Sequence, residues 1–370
     1  KFVDIPVVCA GRMDAAVAAD AIKEGKIDGV GVARQFLTDP EWVTKIIEDR
    51  IEDIKPCICC HSACFNFSSS KGHANTQDLF DTMGLSRCAL NPKTMQSKKY
   101  KIEPAKKVKK VAIIGGGIGG MEAAIVLAQR GHKVDLYEKA DKLGGQIHLA
   151  AVPPRKAEIL RSVEYYEAIL PGLTNVNIHL NTECTKEVMN AADAVIVAVG
   201  AQDIVLPVPG ANSANVVSSW DVLAGKANVS GHCAVIGGGL VGTETAEYLV
   251  EKGCKVSVIE MMDKIANGES STILPIIMAD FAKNDVKQYV NTKVNSIEND
   301  GKQILATDTK EEKDITIDCD MVVMAVGSKK NVLDVEGVTA PVFYAGDCSG
   351  ERTASIAEAI RTGYKVANEI

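Results

Sequence analysis

From Val108 to the carboxyl end, short apolar runs alternate with stretches of helical periodicity, the pattern of a parallel sheet covered by helices. The pattern also repeats itself. "KVAIIGGGIGGMEAA" at 110–124 returns as "CAVIGGGLVGTETAE" at 233–247, and "DAVIVAVG" at 193–200 returns as "DMVVMAVG" at 320–327. Internal similarity of this kind predicts two α/β units in tandem. Ahead of them, "DIPVVCAG" and "DGVGVAR" flank "DAAVAADAIKEG", whose helical spacing ends on a Gly stop, so residues 1–50 read as strand, helix, strand, helix. Residues 51–103 break the pattern with a cysteine-rich stretch and the polar insert "SSSKGHANTQDLFDTMG"; the basic run up to Lys110 reads as a linker or solvated strap.

In both repeats a Gly-x-Gly-x-x-Gly turn follows an apolar strand and opens a helix, which points backbone amides and the positive end of the helix at a pyrophosphate. The glycines are Gly115, Gly117 and Gly120 in the first copy and Gly237, Gly239 and Gly242 in the second. An acid ends the next strand in each, Glu138 in "VDLYE" and Glu260 in "VSVIE", where a carboxylate accepts hydrogen bonds from ribose hydroxyls. The fold class is therefore α/β, with two tandem Rossmann-like dinucleotide-binding domains.

The two units differ after the acid. "KADKLGGQIHLAA" carries a glycine pair ending at Gly145, with Gln146 next, in the place where flavin enzymes of the two-dinucleotide-fold class pass the chain over FAD. "MMDKIANG" after Glu260 lacks the pair, so FAD is assigned to the first unit and NADH to the second. Glu260 repels a 2′-phosphate, and Met261 and Met262 supply no cation, which favours NADH over NADPH; Lys255 and Lys264 are the cations that bear on that choice. Near the end of the chain, Gly346-Asp347 in "YAGDC" resembles the segment of the same class whose Asp meets the FAD ribityl-phosphate region, with a plain turn as the alternative. The helix that follows would aim its N-terminus at flavin N1 and the C2 carbonyl. Gly200 and Gly327, closing the repeated "AVG" strands, complete the FAD and NADH sets.

Composition narrows the class. The chain has 370 residues, 46% hydrophobic, and a net charge of -7, enough for two or three domains. Its acidic balance opposes phosphate-backbone binding, so no nucleic-acid partner is expected. No apolar run reaches the roughly 18 residues of a membrane span, and "FVDIPVVCAG" is too short in its apolar core for a secretory signal, so no membrane partner is expected. Eleven cysteines, clustered rather than spread, predict a reducing cytoplasmic setting with a metal or redox site.

That cluster is "KPCICCHSACFNF". Cys57, Cys60 and Cys64, closed by Cys88 in "SRCALNP", offer four soft ligands in a tight loop, as a [4Fe–4S] cluster requires. Zinc is the rival, although structural zinc sites pair two knuckles; unliganded thiols are the remaining alternative. Cys59 reads as a bystander thiol and His61 as a loop residue. A redox dithiol is missing from both places where two-unit flavoproteins carry one, so electrons leaving FAD need another exit, and the four thiols supply it.

Taken together, "KPCICCHSAC…CALNP", "VAIIGGGIGGMEAA", "LGGQIHLAAVPPRKAEI", "VIGGGLVGTETAEYL" and "YAGDC" resemble the carboxyl-terminal part of the iron–sulfur flavoenzymes that include 2-enoate reductases, 2,4-dienoyl-CoA reductases and trimethylamine dehydrogenase, an old-yellow-enzyme-like family. The resemblance runs from Phe2 to Ile370 and implies four regions: 1–50, the last two βα units of a (β/α)8 barrel; 51–103, the cluster loop and linker; 104–204 plus 331–370, the FAD domain; and 205–330, the NADH domain. It also implies that Gly11, Arg12, Ala33 and Arg34 contact an FMN phosphate, with ordinary βα turns as the alternative. For the whole enzyme it implies electron flow from NADH to FAD, the [4Fe–4S] cluster and FMN, ending in reduction of the C=C bond of an enoate or enoyl-CoA. An amine dehydrogenase with ADP in the first site and a non-catalytic electron-transfer subunit are the alternatives.

Two departures stand out. The spacing from Cys64 to Cys88 is longer than the family pattern, which leaves Cys88 the least certain ligand. A whole barrel takes about 250 residues, and only its last two strands are here, so this chain by itself is expected to show NADH dehydrogenase (diaphorase) activity. Substrate identity and homo-oligomerisation stay open.

Overall fold

The computed structural model describes residues 3–61, 64, 86–270, 272–350 and 355–370; the 68–84 insert lies outside the described residues. In the first α/β unit five parallel strands stand in the order Val342–Tyr344, Ala194–Val197, Lys110–Ile114, Lys133–Tyr137, Val176–His179. The two central strands are continuous apolar runs because both faces are covered. Helix Ile118–Gln129 is buried along its whole length except at Gln129, which explains why its sequence is apolar all round. It packs on the sheet and against the last helix, Ile356–Glu369. A Cβ on Gly363 would lie 2.2 Å from the Gly119 carbonyl oxygen, so glycine is what lets these two helices touch.

The second unit repeats the order: Lys287–Tyr289, Lys255–Ile259, His232–Ile236, Met321–Met324, Val216–Ser218, all parallel. In both sheets the strand before the glycine turn is central, with the acid-bearing strand on one side and the "AVG" strand on the other. A three-stranded antiparallel meander, Thr292–Glu298, Gln303–Asp308 and Lys313–Asp318, covers one face and places Val294, Ile304 and Ile317 against Ile236 and Met324. The chain passes between the units on Ala201–Asp203 and returns on Ser328–Lys330, which pair antiparallel.

The amino-terminal section forms a two-stranded parallel sheet, Val8–Ala10 on Gly29–Gly31, joined by helix Ala15–Lys23, whose cap Asp14 accepts the Ala16 N–H at 2.9 Å. Its apolar side chains stay open to solvent: Ile5 is 68% exposed and Val8 67%. The section is fixed at its far end, where buried Asp39 accepts from the Lys55 N–H at 2.9 Å and pairs with Lys45 at 2.7 Å. In the run before Lys110 most lysines are exposed, and specific contacts fix it to the first unit. Tyr100 is buried edge-on against Tyr364, with ring centroids 5.5 Å apart, and Ala105 donates to the Arg130 carbonyl at 2.8 Å.

Candidate functional site

Each glycine turn is built by steric exclusion. At Gly115 φ is +107° and a Cβ would sit 2.4 Å from the Ala198 carbonyl oxygen; at Gly120 it would sit 2.0 Å from the Gly115 oxygen. Gly117, between them, faces open space. The second turn has the same design, with Gly237 against Ala325, Gly242 against Gly237, and Gly239 open. The open glycine in each is where a diphosphate can approach the backbone.

The two acids are held alike. Glu138 accepts the Gly116 N–H at 2.7 Å and the Ala140 N–H at 2.8 Å; Glu260 accepts the Gly238 N–H at 2.6 Å and the Met262 N–H at 2.8 Å. Backbone donors therefore fix each carboxylate beside its turn.

Around the first turn the remaining expected FAD residues gather. Gly144 bridges Gly117 and donates to the Gly116 carbonyl at 2.9 Å, so the glycine pair crosses the turn. Gln146 donates to Asp347 at 3.3 Å, and a Cβ on Gly200 would lie 3.1 Å from the Gln146 amide nitrogen. Gly346 is buried next to Asp347. In the second unit Ala266 takes the place of the pair, donating to the Gly238 carbonyl at 2.7 Å, and Gly327 has φ +106°. Residues 351–354, ahead of the last helix, lie outside the described residues.

Cys57, Cys60, Cys64 and Cys88 line one cavity, with Cys59 and His61 on its wall and the apolar Ile58 and Leu90 behind. All the cysteines are free thiols. Among the described residues no group of three or more His, Cys, Asp or Glu side chains is placed to hold a metal ion. Burial pushes the Cys88 thiol above its ordinary value, against the Thr38 hydroxyl 3.2 Å away.

The four residues expected at an FMN phosphate are brought to one end of the small sheet, where Ala10 pairs with Gly31. Gly11 and Arg12 both have positive φ, +123° and +64°. Arg12 pairs with Glu158 at 2.7 Å, whereas Arg34 lines the cysteine cavity with its Nη1 buried and, among the described residues, without a hydrogen-bond partner. Ala33 stands at the start of helix Arg34–Thr38.

Sequence reasoning missed one constellation. The Lys55 ammonium lies 3.1 Å from the Glu122 carboxylate and 3.1 Å from the Leu90 carbonyl, and Tyr166 donates to the same Glu122 oxygen at 2.6 Å. Burial works against the charge on Lys55, yet Glu122 and its neighbours hold its pKa above the ordinary value; burial and Glu122 raise the Tyr166 phenol well above its own. The available signal was a lone acid in an otherwise apolar helix. The two units are tied by a second set: Arg155 to Glu247 and to Asp280 at 3.1 Å, and Lys156 to Glu244.

Comparison with known proteins places these features. Residues 109–342 match the family of pyridine nucleotide-disulphide oxidoreductases. Bilirubin reductase of Mediterraneibacter gnavus is 38% identical over 374 residues, covering 100% of this chain and 56% of the relative. Cinnamate reductase of Clostridium sporogenes is 36% identical over 385 residues, covering 100% and 54%. A solved 2-naphthoyl-CoA reductase complex superposes with TM-score 0.87 at 31% identity, covering 100% of this chain and 55% of that one. The chain thus spans about half the length of the relatives it matches. The expected resemblance to the 2-enoate reductase family is borne out, with this chain corresponding to its carboxyl-terminal part. Two glycine cradles, two backbone-held acids and a family match across both units make this chain a member of the pyridine nucleotide-disulphide oxidoreductase family, binding FAD and NAD(P)H.

Proposed function

We propose that this chain is the NADH-oxidising, electron-delivering part of an iron–sulfur flavoenzyme that, when complete, reduces the C=C bond of an enoate or enoyl thioester. The observation that carries the reading is the meeting of four thiols around one cavity in a loop pinned by Lys55 to the first cradle's helix. A donor set of four soft thiols, three from one short loop and one from a distant segment rather than two paired knuckles, fits a [4Fe–4S] cluster better than a structural zinc.

In this reading Cys57, Cys60, Cys64 and Cys88 hold the cluster. Gly115, Gly117, Gly120, Glu138, Gly145, Gln146, Gly200, Gly346 and Asp347 hold FAD. Gly237, Gly239, Gly242, Glu260 and Gly327 hold NADH, and Gly11, Arg12, Ala33 and Arg34 grip the phosphate of FMN. The bound groups would supply hydride acceptance and one-electron transfer. The chain's own part is to orient the nucleotides: each open glycine admits a diphosphate and each acid accepts from a ribose. Met261 and Met262, both exposed beside Glu260, offer no cation to a 2′-phosphate, which supports NADH over NADPH.

The names of the relatives, which reduce bilirubin, cinnamate and 2-naphthoyl-CoA, favour an unsaturated substrate over an amine. A second cradle as complete as the first also weighs against a relic site. Anaerobically purified chain tests the reading. It should carry FAD, about four irons with matching labile sulfide, and a flavin that NADH bleaches. ADP in place of FAD, no iron and sulfide, or no response to NADH overturns it.

A further inference from the structure

Lys55, Glu122 and Tyr166 occupy the seam between the cysteine loop and the first nucleotide unit. The Lys55 side chain is 15% exposed and that of Glu122 3%. Their placement joins three parts of the chain. Lys55 stands two residues before Cys57, its ammonium bonds the Leu90 carbonyl two residues after Cys88, and its partner Glu122 belongs to the helix that Gly117 caps. One ammonium therefore grips both ends of the thiol set and the cradle helix together. The rings of Tyr165 and Tyr166 lie 5.4 and 5.6 Å from it and screen it from water.

Stability alone does not account for this arrangement. Removing a charge pair from water costs about as much as the pair returns, and an apolar pair of similar volume often does as well or better. What an apolar pair cannot supply is an oriented charge. The positive end of this pair reaches the cysteine loop, where it bonds the Leu90 carbonyl two residues after Cys88, and the negative end lies in the cradle helix. A four-thiolate cluster is anionic and gains a further negative charge on reduction, so a fixed cation at low dielectric favours the reduced form.

We propose that Lys55 is a positioning residue that raises the electron affinity of the group held by Cys57, Cys60, Cys64 and Cys88, in addition to the Arg34 cation lining the same cavity, and that Glu122, braced by Tyr166, holds the Lys55 charge in register with the flavin cradle. The inference rests on the cluster reading above. Lys55 touches neither substrate nor nucleotide; it acts through the loop it anchors.

The test is an EPR-monitored redox titration of anaerobically purified protein, alongside iron, labile sulfide and FAD per chain, for wild type, Lys55→Arg, Lys55→Met and Glu122→Gln. At the wild-type midpoint, Lys55→Met should lower the reduced-to-oxidised ratio of the cluster at least tenfold, a 59 mV fall for a one-electron couple. Lys55→Arg should restore most of it. Glu122→Gln, nearly isosteric and leaving the cation unbalanced, should move the midpoint upward. If Lys55→Met fails to fold or to load iron, the opposite-signed shift in Glu122→Gln and the near-native value in Lys55→Arg still carry the inference. A loaded cluster whose midpoint is the same in all four proteins overturns it while leaving the cluster reading intact; wild-type protein without iron and sulfide overturns both.

Discussion

The Glu260 carboxylate accepts the Gly238 N–H at 2.6 Å, repeating in the second unit what Glu138 does for Gly116 at 2.7 Å in the first. A carboxylate fixed in this way presents its negative charge where the adenosine ribose would lie, and that placement discriminates against a 2′-phosphate. Glu260→Arg should therefore move the NADPH-to-NADH preference toward NADPH by at least about tenfold, the scale of one charge-assisted contact. Steady-state kcat/KM ratios for dye reduction measure it; an unchanged ratio would mean that the nucleotide binds elsewhere.

The glycine turns give a paired prediction within one motif. Gly120→Ala forces a Cβ to within 2.0 Å of the Gly115 carbonyl oxygen, a backbone atom that cannot step aside, and should cost at least about 2 kcal/mol of stability. Gly117→Ala meets nothing within 4 Å and should fold normally, yet in the proposed FAD site its methyl group would enter the space offered to the diphosphate. Thermal melts of the apoprotein should separate the first variant from wild type, and FAD titrations the second. Equal loss of FAD affinity in both, with equal melting temperatures, would argue against this division of labour.

Much of this was legible in the sequence because local rules govern it. A strand, a glycine turn, a helix and an acid recur at fixed spacing, and each glycine is dictated by its own turn, so Gly115 to Glu138 and Gly237 to Glu260 could be read directly. Cys57, Cys60 and Cys64 share one short loop and were legible from their spacing, and the structure brings Cys88 to the same cavity. What escaped depends on contacts between distant segments. Lys55 and Glu122 are 67 positions apart, and Tyr100 meets Tyr364 across the whole unit. The meander at 292–318 escaped for another reason: only one of its faces is buried, and its polar alternation does not repeat the α/β pattern around it.

Loss of one thiol should separate the cluster from the flavin. Cys57→Ser and Cys64→Ser should abolish iron and labile sulfide while retaining FAD and NADH-dependent dye reduction, because in the proposed order of electron flow the cluster follows FAD. Metal analysis and dye assays on folded, FAD-bound protein decide this. Loss of dye reduction with FAD retained would place the cluster between NADH and the dye.

His132 predicts a pH effect on stability. It is buried, its Nδ1 accepts the Lys109 N–H at 3.1 Å, and its Nε2 has no partner. Burial, with Arg130 and Lys109 nearby, holds its pKa below the ordinary value. Above the unfolded value of about 6.5 both states are neutral and its contribution is complete. As pH falls below that, the unfolded chain takes up a proton that the folded chain refuses, and stability is lost until the lowered folded pKa is passed. His132→Gln should therefore melt closer to wild type at pH 5 than at pH 7.5. Parallel melting curves for the two proteins across that range would show that His132 does not titrate differently on folding.

The amino-terminal section should be the first to yield to protease. Parallel strands with near-continuous apolar runs are stable when covered on both faces, and among the described residues Val8–Ala10 and Gly29–Gly31 pair only with each other. Ile5, Val8 and Val17 are more than half exposed. Beyond Arg34 the situation changes: Gln35 exchanges hydrogen bonds with Lys55 and Cys57 at 2.8 and 2.9 Å, and Asp39 anchors Lys55 and Lys45. Limited proteolysis at low protease ratio, read by mass spectrometry, should cut between Val3 and Gly31 before it cuts between Gln35 and His61. If iron loading further slows cleavage near Cys57 but leaves the early cuts unchanged, the boundary between a loosely held sheet and a tightly held loop lies at Arg34. Early cleavage between Gln35 and Cys57, with the sheet intact, would reverse that order and show that the two strands are held by contacts stronger than their exposure implies.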